Sequence, residues 1–196
     1  SDRARESALP GALGERFTLV RELGEGPHGA AYLARSKATG ELVRLKRLRP
    51  ELFSAEAADR VLALVDAQRP LDHPNLARVL GTERYGDSVI LIGAFAEGDD
   101  LGTLLVSREI PRELARDVAI QLGIGVAEAH RRGFVHGNLR HENVIVDLAG
   151  QVHVTDFGLG PARSGAQDTA TTLRADVIAV SRLSLAVLDR GGVSSG

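Results

Sequence analysis

The hydrophobic pattern of this chain changes period once, near Gly98. Before that point apolar residues tend to alternate, the period of a strand with one buried face. Residues 17–23, 30–34 and 41–48 read as strands, and 76–84 with 88–95 as a hairpin turned at Tyr85-Gly86-Asp87. One helix interrupts them: Ser54 is a ready cap, and the helix runs to about Gln68 before Pro70. After Gly98 the period is helical. Pro111 opens a long helix, Leu114, Val118, Leu122, Val126 and Ala129 share its inner face, and Gly133 ends it. Two short strands, 144–146 and 152–155, precede a helix over 175–188. That helix is apolar nearly all round and expects cover on every side. The pattern predicts an α+β fold in two lobes. A flexible arm over 1–15 leads to a β-rich N-lobe over 16–95 and an α-helical C-lobe over 96–196, with a hinge at 96–100.

Composition narrows the function. A hydrophobic share of 43% and a charged share of 26% are ordinary globular values. The absence of cysteine excludes disulfides, thiolate metal sites and a cysteine nucleophile. A net charge of −2 leaves no electrostatic footprint for nucleic acid. No apolar run approaches the ~20 residues that span a bilayer, and no signal-peptide pattern is visible. The expectation is a cytoplasmic chain without a membrane segment. With no methionine present, Ser1 reads as the start of a piece cut from something longer. Among 24 basic residues the only lysines are Lys37 and Lys46, so the place where a lysine does occur is informative.

Gly24-Glu25-Gly26-Pro27-His28-Gly29 forms a G-x-G-x-x-G loop between two predicted strands. Such glycines let backbone amides approach phosphates closely. A strand follows the loop, which rules out the dinucleotide fingerprint, where a helix would follow. Lys46 falls on the third strand. After the long helix comes His136-Gly137-Asn138-Leu139-Arg140-His141-Glu142-Asn143, and then Asp156-Phe157-Gly158. Asn and Asp oxygens are hard ligands suited to Mg²⁺. These motifs, in this order, resemble the signature set of protein kinases. From about Phe17 to Leu188 the chain is similar to the bacterial, eukaryotic-like serine/threonine protein kinases. The resemblance implies a two-lobed kinase-like fold, nucleotide held by Gly24, Gly26, Gly29 and Lys46, and Mg²⁺ held by Asn143 and Asp156.

Departures from the pattern shape the functional expectation. Family members carry at position 138 an Asp that accepts the substrate hydroxyl proton, and a carboxamide is no base at neutral pH. Arg44 replaces a small residue lying against the adenine ring, where it could occlude the site. The helix Glu that pairs with the strand lysine aligns with Leu64, so Lys46 is expected to turn to Asp156. The gatekeeper aligns with Gly93, leaving a deeper pocket or room for Arg44. The segment between Asp156 and Asp176 is short, and the later C-lobe helices are missing, so a truncated C-lobe is expected. The expectation is therefore a pseudokinase: no catalytic residue, not an enzyme, ATP and Mg²⁺ bound weakly or not at all. It would serve as a regulatory or scaffolding module in bacterial signalling. The alternative is a weakly active or ATP-sensing serine/threonine kinase domain. Thr169, Thr171 and Thr172 occupy activation-loop positions, with Arg163 and Arg174 nearby to meet a phosphate. An active kinase and a phosphothreonine-reading domain are thus expected partners. A homodimer through Val180, Leu183 and Val187 would cover the terminal helix.

Overall fold

A computed structural model describes residues 11–107, 110–160 and 169–191. The chain opens with α1 (Gly11–Arg16), β1 (Phe17–Gly26), β2 (Gly29–Ser36) and β3 (Leu42–Leu48). Then come α2 (Ala55–Ala67), β4 (Val79–Tyr85) and β5 (Ser88–Ala94). The five strands form one antiparallel sheet in the order β1-β2-β3-β5-β4. The second half holds β6 (Gly98–Asp100), α3 (Leu101–Ser107), α4 (Arg112–Arg131), β7 (Val144–Asp147), β8 (Val152–Val154) and α5 (Thr169–Gly191). Here β6, β7 and β8 make a small antiparallel sheet.

Ser54 caps α2 as its sequence suggests, its hydroxyl accepting from the Ala57 amide at 3.2 Å. The buried positions of α2 are Ala57, Ala58, Val61 and Val65, the helical spacing that lets it lie on β4 and β5. In α4, Ala115, Val118, Leu122, Val126 and Ala129 are buried and join Leu101, Val144, Val152 and Val154 in the core of the helical half.

Three expectations change. Part of the arm is structured: Gly11–Arg16 is helical, and Leu13, 1% exposed, packs with Phe17, Val43 and Ile92 on the far side of the sheet. Residues 98–100 are a strand inside the second half rather than hinge. Gly98 pairs with Asp147, and a side chain there would meet the Val146 carbonyl at 2.1 Å, so only glycine fits that approach. Finally, α5 begins at Thr169, earlier than predicted, and has an inner face after all. Asp176, Leu183 and Val187 are buried, and Val180 packs against the same core, whereas Val177, Ile178, Leu185 and Leu188 are exposed. Leu183 and Val187, expected to contact a second copy, are already covered by their own chain. Among the described residues no helix is long and apolar enough to cross a membrane.

Candidate active site

The two halves meet in a cleft of about 280 Å³. Gly24, Gly26 and Gly29 form its roof, Lys46 and Arg44 come from β3, and Asn138, Asn143 and Asp156 rise from the helical half. The roof is tied down by a close backbone approach. Gly29 has φ +150°, and a Cβ on it would lie 1.9 Å from the Arg47 carbonyl oxygen, so the β1–β2 turn can descend onto β3 only through glycine.

Asp156 is the electrostatic centre. Lys46 Nζ donates to Oδ2, Arg44 Nη1 donates to Oδ1 at 3.0 Å, and Asn143 Nδ2 donates to Oδ2 at 3.1 Å. The Asp156 and Lys46 side chains are 5% and 6% exposed, and Arg44 is 22% exposed. Burial alone would raise the Asp156 carboxyl. The charges of Lys46 and Arg44 and their hydrogen bonds outweigh it and hold the group well below the usual carboxylate range. Its backbone sits at φ +65°, in the left-handed region that Asp tolerates better than most residues. Lys46 thus pairs with Asp156 as expected in the absence of a helix glutamate. Leu64, at that helix position, faces Gly158 instead.

Arg44 is drawn toward the Asp156 side of the cleft. It still lines the wall, with its guanidinium on Asp156. It stands opposite Gly93 in the β3–β5 register, and both border a smaller cavity of about 60 Å³ behind the cleft. Gly93 thus borders that smaller cavity, and a Cβ there would approach the Arg78 carbonyl at 3.4 Å rather than Arg44.

Around Asn138 the helical half is braced from beneath. The buried carboxylate of Asp176 accepts from the His136 and Gly137 amides at 2.7 and 2.8 Å, and lies 2.9 Å from His130 Nε2. His136 Nε2 is 2.9 Å from the Thr155 carbonyl, and its ring tilts against Phe157 at 4.8 Å between centroids. Burial lowers the His136 pKa, against the pull of Asp176 and Asp156, so the ring is neutral. Asn138 itself accepts from Arg140 Nε at 3.1 Å. Thr169, Thr171 and Thr172 stand in the first turn of α5 rather than in a loop; Arg163 lies outside the described residues.

Sequence reasoning missed two residues here. Gln68 is 4% exposed, and its Nε2 donates to the Leu64 and Phe157 carbonyls at 3.0 and 3.2 Å, fastening α2 to Asp156-Phe157-Gly158. A glutamine on the apolar side of a helix is the signal that could have drawn attention to it. His28, inside the glycine loop, is 5% exposed and reaches Asn138, with Nε2 3.4 Å from Nδ2. An imidazole among the glycines was the available clue.

Among the described residues one buried side-chain polar atom is left over. Asn143 Oδ1 is buried and has no hydrogen-bond partner, directly beside the Asp156 carboxylate. A buried acceptor without a donor is costly, and an amide oxygen next to a carboxylate is a hard-oxygen pair of the kind Mg²⁺ prefers. The two residues fit that ion.

Comparison with known proteins agrees with this geometry. The protein kinase domain family model matches residues 17–177. Serine/threonine-protein kinase RIM15 of Saccharomyces cerevisiae is 30% identical over 153 residues, covering 74% of this chain and 8% of the relative. CBL-interacting protein kinase 4 of Oryza sativa subsp. japonica is 36% identical over 149 residues, covering 74% of this chain and 33% of the relative. The chain thus spans a third or less of these curated relatives. The crystal structure of the Mycobacterium tuberculosis PknI kinase domain superposes with a TM-score of 0.75 at 20% identity, covering 96% of this chain and 82% of that one. These matches overturn the expectation, drawn from Asn138, that the chain is not an enzyme. Both relatives are named as protein kinases, RIM15 as a serine/threonine kinase. The physical error was to let one proton acceptor stand for the whole reaction, since phosphoryl transfer depends mainly on positioning and charge stabilisation. This chain belongs to the protein kinase domain family.

Proposed function

We propose that this domain transfers the γ-phosphoryl group of ATP to serine or threonine hydroxyls of proteins, and does so slowly. The observation that carries the reading is the Lys46–Asp156–Asn143 group beneath the glycine roof, with its one unpartnered oxygen. The backbone amides of the roof suit a phosphate chain. Lys46 supplies a point charge for phosphate oxygens once its hold on Asp156 relaxes. Mg²⁺, bound by Asn143 Oδ1 and Asp156, would offset the charge of the phosphates. Arg44 and Lys46 hold Asp156 ionised, which is the form a metal ligand requires. Asp176 fixes the backbone before Asn138 and so sets where a substrate hydroxyl is received.

The rate is expected to be low because no carboxylate stands at 138. Proton transfer by a placed side chain contributes about 10²–10⁴-fold, against typical kinase turnover of about 1–100 per second. Purified protein incubated with radiolabelled ATP, Mg²⁺ and a generic basic protein substrate tests the reading. Slow incorporation that disappears in Asp156→Ala is the expected result. Incorporation indistinguishable between the parent and Asp156→Ala rejects it.

A further inference from the structure

A carboxamide stands where the family places its proton acceptor, but a second group reaches that spot from the roof. His28 lies at the turn between β1 and β2. Its position is over-determined: Gly29 lies against β3, the Arg49 amide donates to the His28 carbonyl at 2.9 Å, and the ring meets Phe53 edge-on at 6.3 Å. The preceding Pro27 has a fixed φ and stiffens the turn. The ring therefore faces into the cleft, where Nε2 lies 3.4 Å from Asn138 Nδ2.

The orientation of Asn138 decides what His28 offers. Arg140 has only donors, and its Nε donates to Asn138 Oδ1 at 3.1 Å. The amide nitrogen is thereby the end turned to His28. The tautomer that accepts this N–H carries its proton on Nδ1 and a lone pair on Nε2. In that tautomer the imidazole turns a lone pair toward Asn138, the position at which the family places its proton acceptor. The carboxylates lining the cleft are engaged or outlying. Asp156 is held by Lys46 and Arg44, Glu25 pairs with Arg49 at 2.7 Å, Asp100 accepts from Thr103, and Glu142 is exposed on its turn.

We propose that His28 is the general base of this domain, taking the role that Asn138 cannot. The inference rests on the kinase reading above. The substrate hydroxyl replaces the Asn138 amide as donor to Nε2; a contact of 3.4 Å is long and weak enough to be displaced. As the hydroxyl oxygen forms its bond to the γ-phosphorus, the bond from that phosphorus to the β-bridging oxygen breaks. ADP leaves with that electron pair. The hydroxyl proton moves to Nε2, giving an imidazolium that returns it to solvent. Imidazole suits the task near neutral pH. The base is carried by the glycine loop, which Gly29 ties to β3.

The test combines single-turnover transfer from radiolabelled ATP, calorimetric ATP affinity and long-range ¹⁵N–¹H spectra of the imidazoles. His28→Gln is expected to slow transfer about 10²-fold with ATP affinity unchanged. Asn138→Asp restores a carboxylate, so adding His28→Gln to it should then cost little. The spectra should show His28 protonated on Nδ1. Transfer by His28→Gln equal to or faster than the parent overturns the inference and leaves the kinase reading intact, a gain marking His28 as an obstructing lid. A His28 proton on Nε2 overturns it independently of activity and of any variant's folding. No transfer from either the parent or Asn138→Asp overturns the kinase reading and the inference with it.

Discussion

Asp156 gathers two cations and an amide on one buried carboxylate, so its partners are unequal and separable. Lys46 is as deeply buried as Asp156, whereas Arg44 keeps 22% of its side chain in solvent. Removing one member of a buried pair typically costs about 3–5 kcal/mol, because the remaining charge is stranded. Lys46→Met should therefore approach that cost, and Arg44→Ala should cost clearly less; urea unfolding at neutral pH gives the order, and the reverse order would refute the account. The same pairing sets an acid limit. The folded Asp156 carboxyl lies below its unfolded value of about 3.9, so its contribution is complete above about pH 4 and is lost as the pH falls further. His136 acts earlier and in the same direction. Buried and neutral, it binds fewer protons than in the unfolded chain below about pH 6.5, so stability falls as pH drops from 7 toward 5. Melting temperatures across pH 7.5 to 5 test this, and a flat profile would contradict it. Much of this site was legible in the chain, because Lys46, Asn143 and Asp156 occur at motif positions and chemistry dictates their types. The direction of Arg44 was not. Its long side chain can point several ways from one backbone position, and only the fold places Asp156 within its reach.

At the scale of elements, Gln68 hydrogen-bonds the end of α2 to Asp156-Phe157-Gly158. Gln68 closes the helix and donates across the interface to the Phe157 carbonyl. Gln68→Ala leaves that carbonyl without this donor in a buried place, at a cost of about 1–3 kcal/mol. Its signature should be local: faster amide exchange at the end of α2 and through residues 156–160, with β1 and β2 unchanged. Protection lost uniformly over the whole chain would argue against a local tether. The α2 and α4 helices were readable because their inner faces repeat at helical spacing and each has a start signal, Ser54 and Pro111. The strand β6 was not, since Gly98-Asp99-Asp100 has neither alternation nor strand propensity. It is extended because β7 pairs with it, a tertiary effect no local pattern carries. The early start of α5 was hidden for a related reason. Thr169, Thr171 and Thr172 are mediocre helix formers, and they are helical as the first turn of a helix whose later turns pack on α4.

Across the whole molecule, one core lies beneath the cleft and is shared by α4, α5, β7 and β8. It explains why a helix that looks apolar all round is nonetheless directional. Leu183 and Val187, 5% and 1% exposed, face that core, while Val177 at 57% and Leu185 at 61% face outward. The two classes should respond oppositely to charge. Leu183→Glu places a carboxylate in the apolar core of the helical half, and either the carboxyl stays protonated or the core opens. Loss of the leucine packing alone is worth about 2–5 kcal/mol, a large part of a typical stability of about 5–15 kcal/mol. Leu185→Glu changes only an exposed position and should fall within about 0.5 kcal/mol of the parent. Denaturant unfolding of the two variants separates them. If copies of this chain associate through α5, the contact must use Val177, Ile178, Leu185 and Leu188, because the inner row is occupied. Light scattering at micromolar concentration reports whether such a dimer forms. Any dimer through α5 should dissociate in Leu185→Glu without loss of folding, whereas Leu183→Glu should lose structure whatever its state of association. A Leu183→Glu protein that keeps its structure and its melting temperature would show that α5 is not part of the core.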